Sequence, residues 1–337
     1  MTTARGGTMY IDQVRGGTNS NNVPGTAFAM PPGMRMRYDL PCVSLSDYVT
    51  GYAIYAADDR TPMINWYLPA PAMISVLVDA GPATVSIGNH RFGPVDRASF
   101  YGPTSRAFRT ETTGGIAVGI GLSALGWSRL TARSAGEFHN RVVPLGSALG
   151  WALPARLIEG LDALDSDTLI KPLLDAILTP LFARAHPRDE LIRAFTALTV
   201  TDGVIEMKDV ADRLDIPTHE LRRMATRHFG MPPKLLLRRA RFLRSFIRLI
   251  TADGLSDYSM IDSSYFDASH FLRDAGTFLG TTPRRFVASE TTYLKASLRA
   301  RMAVAGAPTQ ALHGVAKPAS VAMPRSPLDP ERSQPTV

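Results

Sequence analysis

The sequence predicts an α+β chain of two domains, an all-β unit in the N-terminal half and an all-helical unit in the C-terminal half, joined by a helical connector. Its 337 residues exceed what one hydrophobic core usually holds, about 250 residues. Up to about residue 133, short apolar runs alternate at a period of two between Pro and Gly breaks, the pattern of half-buried strands. After Pro144 the apolar residues return every three or four positions, the pattern of amphipathic helices.

Residues 1–33, rich in Gly and Asn, read as a flexible leader. They contain no apolar core of signal-peptide length, so no export is expected. Within 34–145, Ile116, Val118, Ile120 and Leu122 alternate with Ala117, Gly119 and Gly121. Ile74, Val76 and Val78 follow Pro71, and Val85 and Ile87 follow Pro82. Many short strands with turn signals between them predict a small antiparallel barrel or sandwich. Residues 146–200 form the connector, with Leu153, Leu157, Leu161 and Leu164 on one stripe and further helices over 172–185 and 189–198. Its stripes are expected to pack on the barrel, dimerisation being the alternative.

Residues 201–295 read as a compact helical unit. A short helix over 207–214, a tight turn at Asp215-Ile216-Pro217 and a helix over 218–229 stopped by Gly230 have the spacing of a helix-turn-helix. A long helix then runs from Pro232-Pro233 to Asp253-Gly254, and a second short helix, turn and helix follows, the last over 269–279 with Gly280 as its stop. Residues 303–337 carry six prolines among Ala and Ser and are expected to be disordered.

Charge is concentrated where the helices are. The chain carries a net +7. Between Thr218 and Ile250, Arg222, Arg223, Arg227, Lys234, Arg238, Arg239, Arg241, Arg244 and Arg248 face one acid, Glu220. At 3.6 residues per turn, Leu236, Ala240, Leu243, Ile247 and Ile250 form a packing stripe, and Lys234, Arg238, Arg241, Arg244 and Arg248 lie opposite. Such a one-signed face predicts a polyanionic partner, above all nucleic acid. Other classes find little support. Cys42 is the only cysteine, which excludes an intrachain disulfide and a Cys-based zinc site and fits a reducing cytoplasm. The longest nearly apolar run, 114–127, is too short to span a bilayer. His90, Glu111, Glu137 and His139 lack metal-site spacing. Ser123, in Gly121-Leu-Ser-Ala-Leu-Gly126, nearly matches a nucleophile elbow but is read as a barrel residue outside a strand-to-helix context. No cofactor is expected.

Two helix-turn-helix units flanking one long helix carry a resemblance. Ala211, Leu221, Arg223, Gly230, Pro233 and Arg241-Phe242 in the first unit, and Asp267, Ser269, His270, Phe271, Arg273, Gly280, Thr282 and Pro283 in the second, are in register with the AraC/XylS family of transcription regulators, which the chain resembles over about 90 residues. The chain departs from that pattern at Pro217, at Ala225 and Ala275 in place of core phenylalanines, at Ser264-Tyr265 in place of Gly-Phe, and in the polar stretch 256–263. Phe229 and Phe278 are expected to fill the space left by the two alanines. More weakly, residues 119–145 resemble the cupin-like sensor domains that precede this unit in part of the family, which implies a ligand pocket inside an N-terminal barrel and an effector that no residue here identifies.

The expected roles follow. A recognition helix presents its N-terminal residues to base edges in the major groove, which assigns base reading to His219, Arg222 and Arg223 in the first unit and to Ala268, Ser269, Leu272 and Arg273 in the second. Arg227, Lys234, Arg238 and Arg239 are assigned to phosphates. The resemblance implies double-stranded DNA, RNA polymerase and a second copy of the chain as partners, with an effector of unknown nature and no membrane. Two readings stay open beside a cytoplasmic regulator: a cupin-type enzyme with a helical association domain, and a partner-binding module that has lost DNA contact.

Overall fold

The computed structural model describes residues 14–18, 20–57, 62–201, 206–252, 261–289 and 291–314. The N-terminal half is rich in sheet and the C-terminal half is helical. The strands are β1 Gly16–Gly17, β2 Met34–Asp39, β3 Val49–Ala57, β4 Met63–Tyr67, β5 Met73–Val78, β6 Thr84–Ile87, β7 His90–Phe92, β8 Ala98–Tyr101, β9 Phe108–Thr112, β10 Gly115–Leu122 and β11 Val142–Pro144. They form a seven-stranded sheet in the order β1-β2-β3-β10-β5-β8-β11 and a four-stranded sheet in the order β4-β9-β6-β7. The β1–β2 pair is parallel and the other pairs are antiparallel. β10 is the pivot, paired with β3 on one side and β5 on the other. Its Ile116, Val118, Ile120 and Leu122 are buried, as their alternation predicts.

Five helices follow: α1 Ala124–Leu130, α2 Leu145–Leu149, α3 Ala152–Asp162, α4 Ile170–Leu178 and α5 Asp189–Val200. Leu153, Leu157 and Leu161 of α3 and Ile170, Leu174 and Ile177 of α4 share one core with Ile74, Val76, Phe100 and Val118 of the larger sheet. The apolar stripes of α3 and α4 therefore pack on the sheet, whereas Ile192 and Phe195 of α5 pack on the C-terminal helical unit.

The remaining α-helices of the described residues are α6 Met207–Arg213, α7 Thr218–Phe229, α8 Pro233–Thr251, α9 Ala268–Phe278, α10 Pro283–Val287 and α11 Thr292–Ala305. Their ends follow local chemistry. Asp215, at φ +51°, turns the chain between α6 and α7, and Gly230, at φ +81°, stops α7 in the left-handed conformation that costs glycine little. Asp267 caps α9 by accepting from the His270 backbone N–H at 2.7 Å. The short helix expected before α9 falls largely on 253–260, outside the described residues.

Ordered structure reaches beyond the boundaries expected at both ends. Within the expected leader, Val14 is fully buried and Gly16 and Gly17 pair with Arg37 and Tyr38. Within the expected tail, α11 runs to Ala305, and Ala307, Thr309 and Ala311 are buried. Each end covers the other: Ala300 and Val304 of α11 pack against Met36 and Tyr38 of β2 and against Phe28. The low-complexity signal lies mostly in the later part of the tail, 315–337, outside the described residues.

The two alanines have a physical account. Ala275 lies in the core where Phe242 stacks on Phe246, Phe271 and Phe278 at 5.3–5.5 Å between ring centroids. Ala225 lies in the core where Phe195 meets Phe229 edge-on at 4.9 Å. The missing ring volume is supplied from neighbouring positions.

Candidate nucleic-acid interface

α7 buries Leu221, Met224, Ala225 and His228 and exposes His219, Arg222, Arg223, Thr226 and Arg227. The helical period explains the division: the buried four recur at three- and four-residue steps, and the basic residues fill the steps between. The guanidinium groups of Arg222 and Arg223 have no ion pair or hydrogen bond among the described residues. α9 buries Phe271, Asp274, Ala275 and Phe278, exposes Ser269 and Arg273, and leaves Ala268 and Leu272 half-buried. Of the seven positions expected to read bases, five are thus exposed, and the first unit's three lie together on the outer face of α7.

The phosphate assignments fare differently. Lys234 and Arg227 are exposed, the latter donating from Nη2 to the Ala132 carbonyl at 2.8 Å. Arg239 is only 5% exposed and donates from Nη1 to the carbonyls of Ala70 (3.2 Å) and Thr104 (2.9 Å). It joins α8 to the sheet domain, and its assignment to phosphate is overturned. Arg238 is half-buried and held by Asp274 Oδ1 through Nε (3.1 Å) and Nη2 (2.5 Å), so that edge of its guanidinium is already taken by a carboxylate.

The basic face of α8 as a whole is a correction. Arg241 Nη2 meets Asp274 Oδ2 at 3.1 Å, with its guanidinium 4.2 Å from the Tyr265 ring. Tyr265 donates its hydroxyl to the same carboxylate oxygen at 2.8 Å, and Arg244 pairs with Asp262 at 3.2 Å. Sorting by period assumes that one side of a helix packs, whereas α8 is enclosed on nearly all sides; along its face, Lys234 and Arg248 stay exposed. Sequence reasoning missed Asp262 and Asp274, the acids that neutralise this face. The signal available for Asp274 was its place on the buried side of α9, beside Phe271, Ala275 and Phe278.

The sheet domain and the connector both hold α7 in place. Ser134 Oγ donates to the Thr226 carbonyl at 3.4 Å, and Arg188 Nη2 pairs with Glu220 at 3.0 Å. A Cβ on Gly230 would fall 2.7 Å from Pro103 Cγ. Burial also reaches the titratable groups: it draws the Arg239 guanidinium down to about 10. It draws His228 down to about 4, helped by His186, Arg227 and Arg188; the His186 and His228 rings lie 5.4 Å apart.

The His228 shift carries a pH prediction. An unfolded-state imidazole titrates near 6.5, so between about 6.5 and 4 the unfolded chain binds the proton that folded His228 refuses. The stability contributed by neutral His228 is present above the unfolded value and is lost as pH falls through that window. Unfolding in urea at pH 7 and pH 4.5 should show wild type losing about 1–3 kcal/mol more than His228→Gln. Parallel losses would refute the assignment.

Two of the residues weighed as enzyme-type candidates make hydrogen bonds within the fold. Ser123 directly follows β10 and caps α1, so the strand-to-helix context judged absent from the sequence is present. Its hydroxyl accepts from the Gly126 N–H at 2.9 Å and donates to the Asp47 carbonyl at 2.6 Å. His139 Nε2 lies 2.9 Å from Ser105 Oγ. Among the described residues no three His, Cys, Asp or Glu side chains are grouped to hold a metal ion, and no helix is long and apolar enough to cross a membrane.

No protein-family profile and no curated protein sequence matches the chain. Among solved structures the chain is similar to ToxT from Vibrio cholerae O395 (TM-score 0.38, 12% identity, 70% of this chain and 96% of that one). It is also similar to wild-type ToxT from Vibrio cholerae strain SCE256 bound to an unsaturated fatty acid (TM-score 0.38, 11%, 68% and 96%). A third similarity is to the AraC-like transcriptional activator CuxR (TM-score 0.21, 15%, 69% and 92%).

Proposed function

We propose that the protein is a sequence-specific, DNA-binding transcription regulator whose N-terminal, cupin-like domain senses an effector. The observation that carries this reading is the outer face of α7, where His219, Arg222 and Arg223 are exposed together while the inner face is locked into the protein. A rigid helix with free guanidinium groups at its N-terminal end suits insertion into a major groove. Ser269 and Arg273 give α9 a similar, less basic face. In this reading Arg227 and Lys234 meet phosphates, and Arg238 and Arg239 do not. Dimerisation, a contact with RNA polymerase and a cytoplasmic location belong to the same proposal.

Selection of bound sequences from a random DNA pool tests it. An asymmetric motif with two blocks about one helical turn apart supports both readers; the absence of any enriched sequence refutes the proposal. On the selected site, Arg222→Ala is expected to cost about 1–3 kcal/mol and to relax discrimination at one base pair. Lys234→Ala should weaken all sequences alike and lower the salt slope by about 1. Equal losses on specific and random DNA for Arg222→Ala would remove that residue from base reading.

A further inference from the structure

We propose that the cavity between the sheet domain and α11 is a binding site for a short-chain monocarboxylate, held through its carboxylate by Arg301. The proposal deepens the effector part of the proposed function and rests on that reading only for its consequence at DNA.

Arg301, on α11, is 5% exposed. Its guanidinium lies 5.1 Å from the Tyr38 ring centroid, and its Nη1 donates to the Thr50 carbonyl at a long 3.5 Å. Nε and Nη2 have no partner among the described residues. Arg239 and Arg241 each leave only Nε open, Arg239 having two carbonyls and Arg241 having Asp274, whereas Arg301 leaves two nitrogens open. An unmatched buried guanidinium is costly and rare.

The two unmatched nitrogens form one edge of the guanidinium, and the same chain shows what that edge accepts. Arg37 meets Asp39 through Nε (2.6 Å) and Nη2 (3.3 Å), and Arg129 meets Asp189 through the same two atoms. In each case a carboxylate lies across the fork. At Arg301 no acid of the described residues does so.

The surroundings repeat the imbalance. Ten buried side-chain nitrogen and oxygen atoms lack a partner among the described residues, and six of them belong to Arg301, Thr50, Thr309, Gln310 and His313. These groups are neighbours. A Cβ on Gly121 would fall 2.2 Å from Thr50 Oγ1 and 2.5 Å from Gln310 Nε2. Arg301, besides burial, lowers the His313 imidazole to about 4. The Thr309 hydroxyl, on the same cavity wall as Arg301, can donate to a bound carboxylate.

Arg301, Thr309 and Gln310 share the wall of one cavity with Tyr38, Met73 and Phe108. The rest of that wall is mainly apolar, which suits an organic body and leaves a bare oxyanion poorly matched. The cavity volume is about 100 Å³, below the roughly 150 Å³ known to accept benzene. A body of about three to five carbons fills a space of that size. Burial also draws the Arg301 guanidinium down to about 9, and a carboxylate on its open edge would favour the charged form and raise it again.

The test uses the full-length chain without DNA, with butyrate as probe in calorimetry and thermal unfolding, and sodium chloride, butyramide, sulfate and octanoate as comparisons. Butyrate is expected to bind saturably and raise the unfolding temperature, while butyramide has no effect. Arg301→Met should unfold at the same or a higher temperature, an unmatched charge having been removed, and bind butyrate about a hundredfold more weakly for the loss of two charge-assisted hydrogen bonds. Should that variant fail to fold, Ala53→Val, which narrows the cavity and keeps Arg301, is expected to weaken butyrate more than acetate. Silence with butyrate, sulfate as effective as butyrate, or octanoate binding more tightly would each overturn the proposal. Butyrate binding by a protein that selects no DNA would leave this site standing and refute the regulator reading alone.

Discussion

Replacing Asp274 by Ala is expected to lower the unfolding free energy by about 3–5 kcal/mol, the usual cost of breaking a buried ion pair by removing one partner. The carboxylate is fully buried and takes Arg238 and Arg241 from α8 and the hydroxyl of Tyr265. Arg238 is exposed enough to turn to solvent when Asp274 is removed. Arg241, with its side chain 9% exposed, is not. Most of the loss therefore comes from stranding Arg241. The same carboxylate fixes the roll of α9 on α8, so under the proposed function a DNA block assigned to α9 should weaken before one assigned to α7. Urea unfolding with a parallel binding selection measures both. A loss under 1 kcal/mol would mean that Arg241 finds water or another acceptor.

Phe242→Ala is expected to cost a comparable 3–5 kcal/mol. Phe242 is fully buried and stacks on three other rings, two of them on α9. Its removal leaves a cavity that the neighbouring Ala275 is too small to fill, and the rigid rings around it relax only in part. The urea midpoint should fall with the slope unchanged. A loss below about 1.5 kcal/mol would show that Phe271 and Phe278 collapse into the space.

The sequence was most legible where one local rule decides the outcome. The strand alternation of β10, the turn at Asp215 and the glycine stop at Gly230 each follow from a few neighbouring residues, and each is present. The outer face of α7 was legible for the same reason. The basic face of α8 was not, because its partners Asp262 and Asp274 lie on other elements, and a helical period cannot show which sides are enclosed. Arg239 and Arg301 were hidden in the same way: each is a long cation that meets backbone carbonyls of the sheet domain more than a hundred residues earlier in the chain. The ordered stretch 303–314 was misread because its composition was averaged with that of the residues after it.

The return of α11 to the sheet has a consequence for the order of folding. Arg299 donates to the carbonyls of Ala27, at 3.4 Å, and Ala29, contacts that bridge 272 residues in the first case. Loops of that length close slowly. While the chain is being synthesised, β2 and the turn before it wait for α11, and until it emerges the apolar surface of Met36 and Tyr38 stays open to chaperones or to other nascent chains. The last described helix thus acts as a latch, and a ribosome paused within α11 would hold a protein whose sheet is built but unsealed.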